Sequence, residues 1–252
     1  MNALLAASGL SLSALLIAAL MTFMAAAVRG LTGFGMAIIL VPLLGIIITP
    51  AQAVVLAILL QALIGPVEIR KSLDNCERPS SFIIAGFAVV ATPFGLWLLS
   101  HTAADLARLL IAAIAIIAFV LVVLPKRAIG RPALPITIGT GISAGILTGF
   151  AAMPGPPVVP YYLQGGVHPQ MARASMMVVF FATAIAGTMS SFALGLTHWA
   201  LAAIAVLLLA PMLLGNYLGS LAFGKISPLL WRTCVAVLLG VAGISAALRA
   251  VH

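Results

Sequence analysis

An arginine followed by three glycines and a threonine is the stretch of this chain best suited to chemistry. The run is Arg29-Gly30-Leu31-Thr32-Gly33-Phe34-Gly35, with apolar sequence on both sides. A charge at membrane depth is costly and usually marks a pathway. Arginine presents several donors in a planar fork that matches an oxyanion. Glycines let backbone N–H groups approach a ligand. A helix starting near Gly35 would aim its N-terminal amides and positive dipole end at the same place. Arg29, Gly30, Thr32, Gly33 and Gly35 are therefore candidate substrate-binding residues, with the Thr32 hydroxyl as a further donor. The competing reading is structural: Arg29 snorkels to the membrane surface and the glycines only let helices pack closely.

A second constellation runs Gly149-Phe150-Ala151-Ala152-Met153-Pro154-Gly155-Pro156-Pro157. Three prolines and two glycines in so short a span cannot continue a helix. Pro156 and Pro157 suit the first turn of a new one, where a missing N–H costs nothing. The N–H groups of Gly155 and Val158 would then face the break. Thr148, Gly149, Gly155 and Pro156 join the candidate site; a plain kink between packed helices is the alternative. Gln61, Tyr161, Gln164, Arg173, Ser175 and Asn216 are polar residues near the breaks that could line a pathway. Of these, Tyr161 and Arg173 are taken as substrate-binding candidates, although membrane tyrosines such as Tyr161 and Tyr162 commonly serve as interfacial anchors. His101, His168 and His198 each fall at an expected segment end.

These residues need elements to hold them, and the elements repeat. Leu31-Thr32-Gly33-Phe34 recurs as Leu147-Thr148-Gly149-Phe150. Each copy is followed by a Val-Pro pair (Val41-Pro42, Val159-Pro160) and then by a proline opening a new apolar segment (Pro50, Pro169). Paired helix breaks in corresponding positions of two halves point to a transporter's binding site. Apolar segments run roughly 4–28, 34–48, 51–67, 81–100 and 106–124, then 134–150, 157–166, 169–195, 198–220 and 228–249. Backbone groups must be satisfied internally in lipid, so all are read as helices. Those at 34–48 and 157–166 are too short to span and are read as half-helices.

The expected architecture is all-α: a polytopic membrane bundle of two homologous repeats, 1–125 and 134–252, joined by a basic loop at 126–133. Five segments per half would invert one repeat against the other. Re-entrant half-helices would instead make them parallel. The polar stretches 68–80 and 125–132 carry Arg70, Lys71, Arg78, Lys126, Arg127 and Arg131, which places both in the cytoplasm, with Lys225. Gly141, Gly145 and Gly149 recur at spacing four, as do Gly215 and Gly219, and such faces favour close helix packing.

Composition sets the class. Hydrophobic residues make up 64% of the 252, charged residues 6%, and mean hydropathy is +1.29, so the lipid bilayer is the expected surrounding. The net charge of +8 does not indicate nucleic acid, because the 12 Lys and Arg are scattered and several sit in short loops. The first charged side chain is Arg29, so no basic stretch of a signal peptide precedes the first apolar run. Cys76 and Cys234 suit neither a metal site nor a disulfide framework. The acidic residues Glu68, Asp74, Glu77 and Asp105 all lie in or beside loops, which disfavours a cation site. No nucleotide loop, hydrolase motif or metal cluster appears, so neither a cofactor nor an enzyme activity is expected.

With these motifs in place, the chain resembles the sulfite exporter TauE/SafE family, the toluene-sulfonate uptake permeases. The resemblance rests on Gly30-Leu31-Thr32-Gly33-Phe34-Gly35 with Val41-Pro42, and on Gly145-Ile146-Leu147-Thr148-Gly149-Phe150 with Gly155-Pro156-Pro157-Val158-Val159-Pro160-Tyr161-Tyr162-Leu163. It covers essentially the whole chain. The first glycine run is thinner than the family's usual Gly-Gly-Gly, with Phe34 and Met36 interrupting it. The resemblance implies a multi-pass protein of the bacterial inner membrane and secondary transport of sulfite or organosulfonates such as sulfoacetate. A site where the two breaks meet, worked by alternating access, follows from the two readings together. A passive anion channel is the alternative. An intramembrane enzyme would need a nucleophile–base pair or metal ligands at membrane depth.

Overall fold

The computed structural model describes residues 11–32, 34–123, 130 and 132–221. Gly33, the side chain of Thr32, most of the 126–133 joint, Lys225 and the expected segment 228–249 lie outside the described set. Within it the chain is helical: α1 (Leu12–Thr32), α2 (Met36–Leu44), α3 (Pro50–Asn75), α4 (Arg78–Ser100), α5 (Ala104–Val123), α6 (Leu134–Ala151), α7 (Gly155–Gln164), α8 (Pro169–Ala193) and α9 (Trp199–Leu221). All of these except α2 and α7 are long and apolar enough to cross a membrane. Large apolar side chains such as Leu16, Val90, Met189 and Val206 face outward, as a lipid-facing surface requires.

Two boundaries differ from the sequence expectation. The first helix does not stop at residue 28 but continues through Arg29 to Thr32, so Arg29 sits in its last turn. There its charge complements the negative end of the helix dipole. The second difference is larger. The polar stretch read as a loop from residue 68 is helical to Asn75, and only Cys76 and Glu77 separate α3 from α4. Hydropathy marks where apolar sequence ends, and that is Val67. Glu68, Arg70 and Lys71 are sound helix formers, so the helix runs on beyond it. Its start is fixed by a capping box: Thr49 Oγ1 accepts from the Gln52 N–H, and Gln52 Oε1 accepts from the Thr49 N–H.

Glycine faces set the helix pairing. Any Cβ at Gly141, Gly145 or Gly149 on α6 would strike the α4 backbone, and Gly95 on α4 meets the Ile146 carbonyl. In the same way Gly215 and Gly219 on α9 abut Phe23 and Ala27 of α1. So α4 packs on α6 and α9 packs on α1, while α3 and α8 cross at the centre. The stretch Ala53–Ile58 of α3 is fully buried. All nine residues of α2 are buried. That enclosure is needed, because broken backbone at membrane depth is tolerated only inside protein or along a cavity. Beyond the far end of α2, Arg108 donates from Nε to the Gly45 carbonyl at 3.3 Å and pairs with Asp105 at 2.7 Å.

Candidate functional site

The first break comes after α1. Gly35 is the N-cap of α2 with φ +90°, a left-handed conformation that only glycine adopts freely. A Cβ built there meets nothing within 4 Å, so the strain and not space selects glycine. No side chain caps α2. Its first three residues, Met36, Ala37 and Ile38, each carry an N–H of the kind a helix cannot satisfy internally.

The second break follows α6. Ala152 takes φ +58°, and its N–H and that of Met153 turn back to the carbonyls of Thr148 and Leu147 at 2.7 and 3.1 Å. The first of these bonds is that of an αL stop, here with alanine where glycine is usual. Pro154 then caps α7, again with no side-chain hydrogen bond. Pro156 and Pro157 have no N–H, so Gly155 alone offers an amide among the first three residues of α7.

The two breaks meet. A cavity of about 30 Å³ is bounded by Arg29, by Phe34 to Ile38 of the first break, by Ala152 to Gly155 of the second, and by Gln61 and Phe180. Gln61 ties it together by donating from Nε2 to the Ala152 carbonyl at 3.1 Å and to the Ala57 carbonyl at 3.2 Å. Arg29 is only 9% exposed, and its Nη2 approaches Met177 Sδ at 3.8 Å. It also borders an adjoining cavity of about 30 Å³ with Gln61, Ile64, Gly65, Met177 and Phe181. The Phe181 ring lies where a Cβ of Gly65 would be. Each space has room for little more than ordered water.

Of the candidates taken from sequence, Arg29, Gly35 and Gly155 come together at this cavity. The others are placed elsewhere or differently. Gly30 packs against Asn216 and Ser220 of α9, and Gly149 against Thr92, Gly95 and Leu96 of α4. Thr148 is buried and donates to the Ala144 carbonyl at 2.7 Å. Pro156 is buried in the first turn of α7. Tyr161 shares a 2.8 Å hydrogen bond with Thr137. Tyr162 is no interfacial anchor: it is fully buried, with its hydroxyl 3.1 Å from those of Ser80 and Ser81. An aromatic ring with two hydroxyl partners is satisfied inside the bundle and has no need of the membrane surface. Arg173 borders a different and larger cavity of about 520 Å³ with Lys71, Ser72, Asn75, Gln170 and Met177.

Sequence reasoning missed Met177, Phe180 and Phe181. They follow Arg173 on α8 at helical spacing, but apolar residues in an apolar segment carry no signal of their own. Gln61 did carry one, as an amide within apolar sequence.

The class is thus a multi-pass membrane helix bundle whose two broken segments meet beside a buried arginine. Residues 18–246 match the family described as Sulfite exporter TauE/SafE, and the chain belongs to that family. It is therefore a membrane protein of a transport family. No curated protein and no solved structure matches the chain.

Proposed function

We propose that the protein is a secondary transporter of small sulfur-containing anions, sulfite or an organosulfonate, in the bacterial inner membrane. The observation that carries this reading is the convergence of Arg29 with the N-termini of α2 and α7 at one cavity. A buried guanidinium and uncapped helix N-termini form a site for an oxyanion and a poor one for a cation. Arg29 balances the charge, and the amides of Met36, Ala37, Ile38 and Gly155 supply hydrogen bonds. The two repeats, α1–α5 and α6 onward, are read as inverted, and reciprocal packing supports their two-fold relation. The fourth helix of the first half lies on the first helix of the second, and the fourth of the second lies on the first of the first. Movement of one repeat against the other would expose the site alternately. The loops carrying Arg70, Lys71 and Arg78 would lie in the cytoplasm.

The test is thermal stability of the detergent-solubilised protein against sulfite, sulfate, thiosulfate, sulfoacetate, taurine and a carboxylate control. Selective stabilisation by a sulfur oxyanion is expected from mass-action linkage. Equal behaviour of all six would count against the anion site. A passive channel would show no saturation of flux and no stimulation by substrate on the far side of a proteoliposome.

A further inference from the structure

Below the site lies a second space that this reading does not use. It is the cavity of about 520 Å³ between the end of α3 and the start of α8. Its wall on α3 is the ridge Val67, Lys71 and Asn75, one turn apart each, with Ser72 beside it. Its wall on α8 is Gln170, Arg173, Ala174 and Met177. The ridge exists because α3 stays helical beyond its apolar part. Two cationic side chains thus border one cleft from two helices, and no carboxylate is among its described lining residues. Like charges so placed repel each other, and a cleft lined by one sign concentrates counter-ions. Ser72, Asn75 and Gln170 add neutral hydrogen-bonding groups. The Asn75 side chain is oriented by donating from Nδ2 to the Lys71 carbonyl at 2.8 Å.

The cleft is not isolated. Met177 borders it on one side and the Arg29 cavity on the other, where its sulfur lies 3.8 Å from the guanidinium. Met177 is mostly buried, and the thioether is an unbranched, adaptable partition.

We infer that the cleft is a second anion-binding subsite, in which Lys71 and Arg173 capture the anion before it passes Met177 to Arg29. Its ligand is a small oxyanion carrying one or two negative charges. The volume accommodates a sulfonate with an organic substituent as well as sulfite. The inference rests on the transport reading above and adds a direction to it. Capture operates only on the face where α3 meets α4. A lipid phosphate would satisfy the same two cations, so the experiment separates the two sources.

Transport of radiolabelled sulfite is measured into inside-out and right-side-out vesicles for the wild type, for Lys71→Gln/Arg173→Gln and for Arg29→Gln. Both residues of the pair are exposed, so the double variant should fold normally. Its rate at low substrate should fall about tenfold from the capture face with the maximal rate kept, and the deficit should shrink as salt rises. From the other face the low-substrate rate must fall by the same factor, because reversibility fixes the ratio of the two, so the side of capture is read from KM: it should rise from the capture face and stay unchanged from the other. A KM raised equally from both faces, or no loss, overturns the subsite. The deficit must persist in phosphatidylcholine vesicles; a deficit only with phosphatidylglycerol assigns the pair to lipid and overturns it too. Arg29→Gln should fail from both faces, and wild-type flux in that variant would sink the Arg29 site without touching the cleft. Binding decides independently of flux. Arg29→Gln should keep a weak stabilisation by sulfite that adding Lys71→Gln/Arg173→Gln removes. Loss of all stabilisation in Arg29→Gln alone contradicts the proposal.

Discussion

The two helix breaks border one cavity, yet they are built in opposite ways. The first offers charge and donors: a buried arginine in the preceding turn, a glycine at φ +90°, and three amides at the start of α2. The second offers almost none. Its prolines remove two of three amides, its turn is closed by two backbone hydrogen bonds, and Gln61 clamps its Ala152 carbonyl. A duplicated motif has thus been divided between an electrostatic half and a rigid half. On the proposed function, the first would hold the anion and the second would position it.

The sharpest way to break this comparison is Arg29→Gln. Removing one partner of a buried, hydrogen-bonded charge costs about 2 kcal/mol or more, so sulfite affinity should drop roughly thirtyfold or beyond. Titration calorimetry of the purified variant reads this directly, and unchanged affinity would take charge away from the first break. Next in size is Gly149→Ala, which sets packing against binding. Its new Cβ strikes the α4 backbone at Thr92 and Leu96. Overpacking of this kind costs about 1–3 kcal/mol, seen as a lower melting temperature with sulfite affinity per folded molecule retained. A selective loss of affinity would return Gly149 to the site.

Why some of this was legible in sequence follows from the same contrast. Breaks announce themselves where glycine and proline cluster, as in residues 30–35 and 154–157. The repeated tetrad located both of them, and the short helices after each were expected. The roles of the tetrad residues were not legible. Gly30 and Gly149 lie beside the breaks but serve helix contact, because a glycine admits a ligand or a neighbouring helix equally well. Helix phase relative to distant segments decides which, and one sequence does not contain it. The α3 extension was missed for a different reason. Charged residues end a membrane span without ending a helix, so Lys71 and Arg173 came to share a cleft that neither segment predicts alone.

Two smaller effects sharpen the rigid half. Gln61→Ala removes the clamp on Ala152 and should lower stability by about 1 kcal/mol, the net worth of a hydrogen bond. It should also raise hydrogen exchange in residues 152–155 above that of α6. Unaltered exchange would show that the turn is fixed by its own backbone bonds. Smallest is Ala152→Gly, which relieves a left-handed alanine at the cost of a more flexible unfolded chain. Left-handed strain is worth about 1–2 kcal/mol and glycine's added entropy about 0.5–1, so a gain of a few tenths to about 1 kcal/mol is expected in the chemical-denaturation midpoint.

The central claim is that the anion sits between the two breaks, beside Arg29. Selenite has the shape and charge of sulfite and an anomalous scattering edge, so it can be located in crystals of the wild-type protein. An anomalous peak bounded by the Arg29 guanidinium and the amides of Met36 and Gly155 is the result expected. A peak absent there while selenite occupies another place in the bundle would contradict the account.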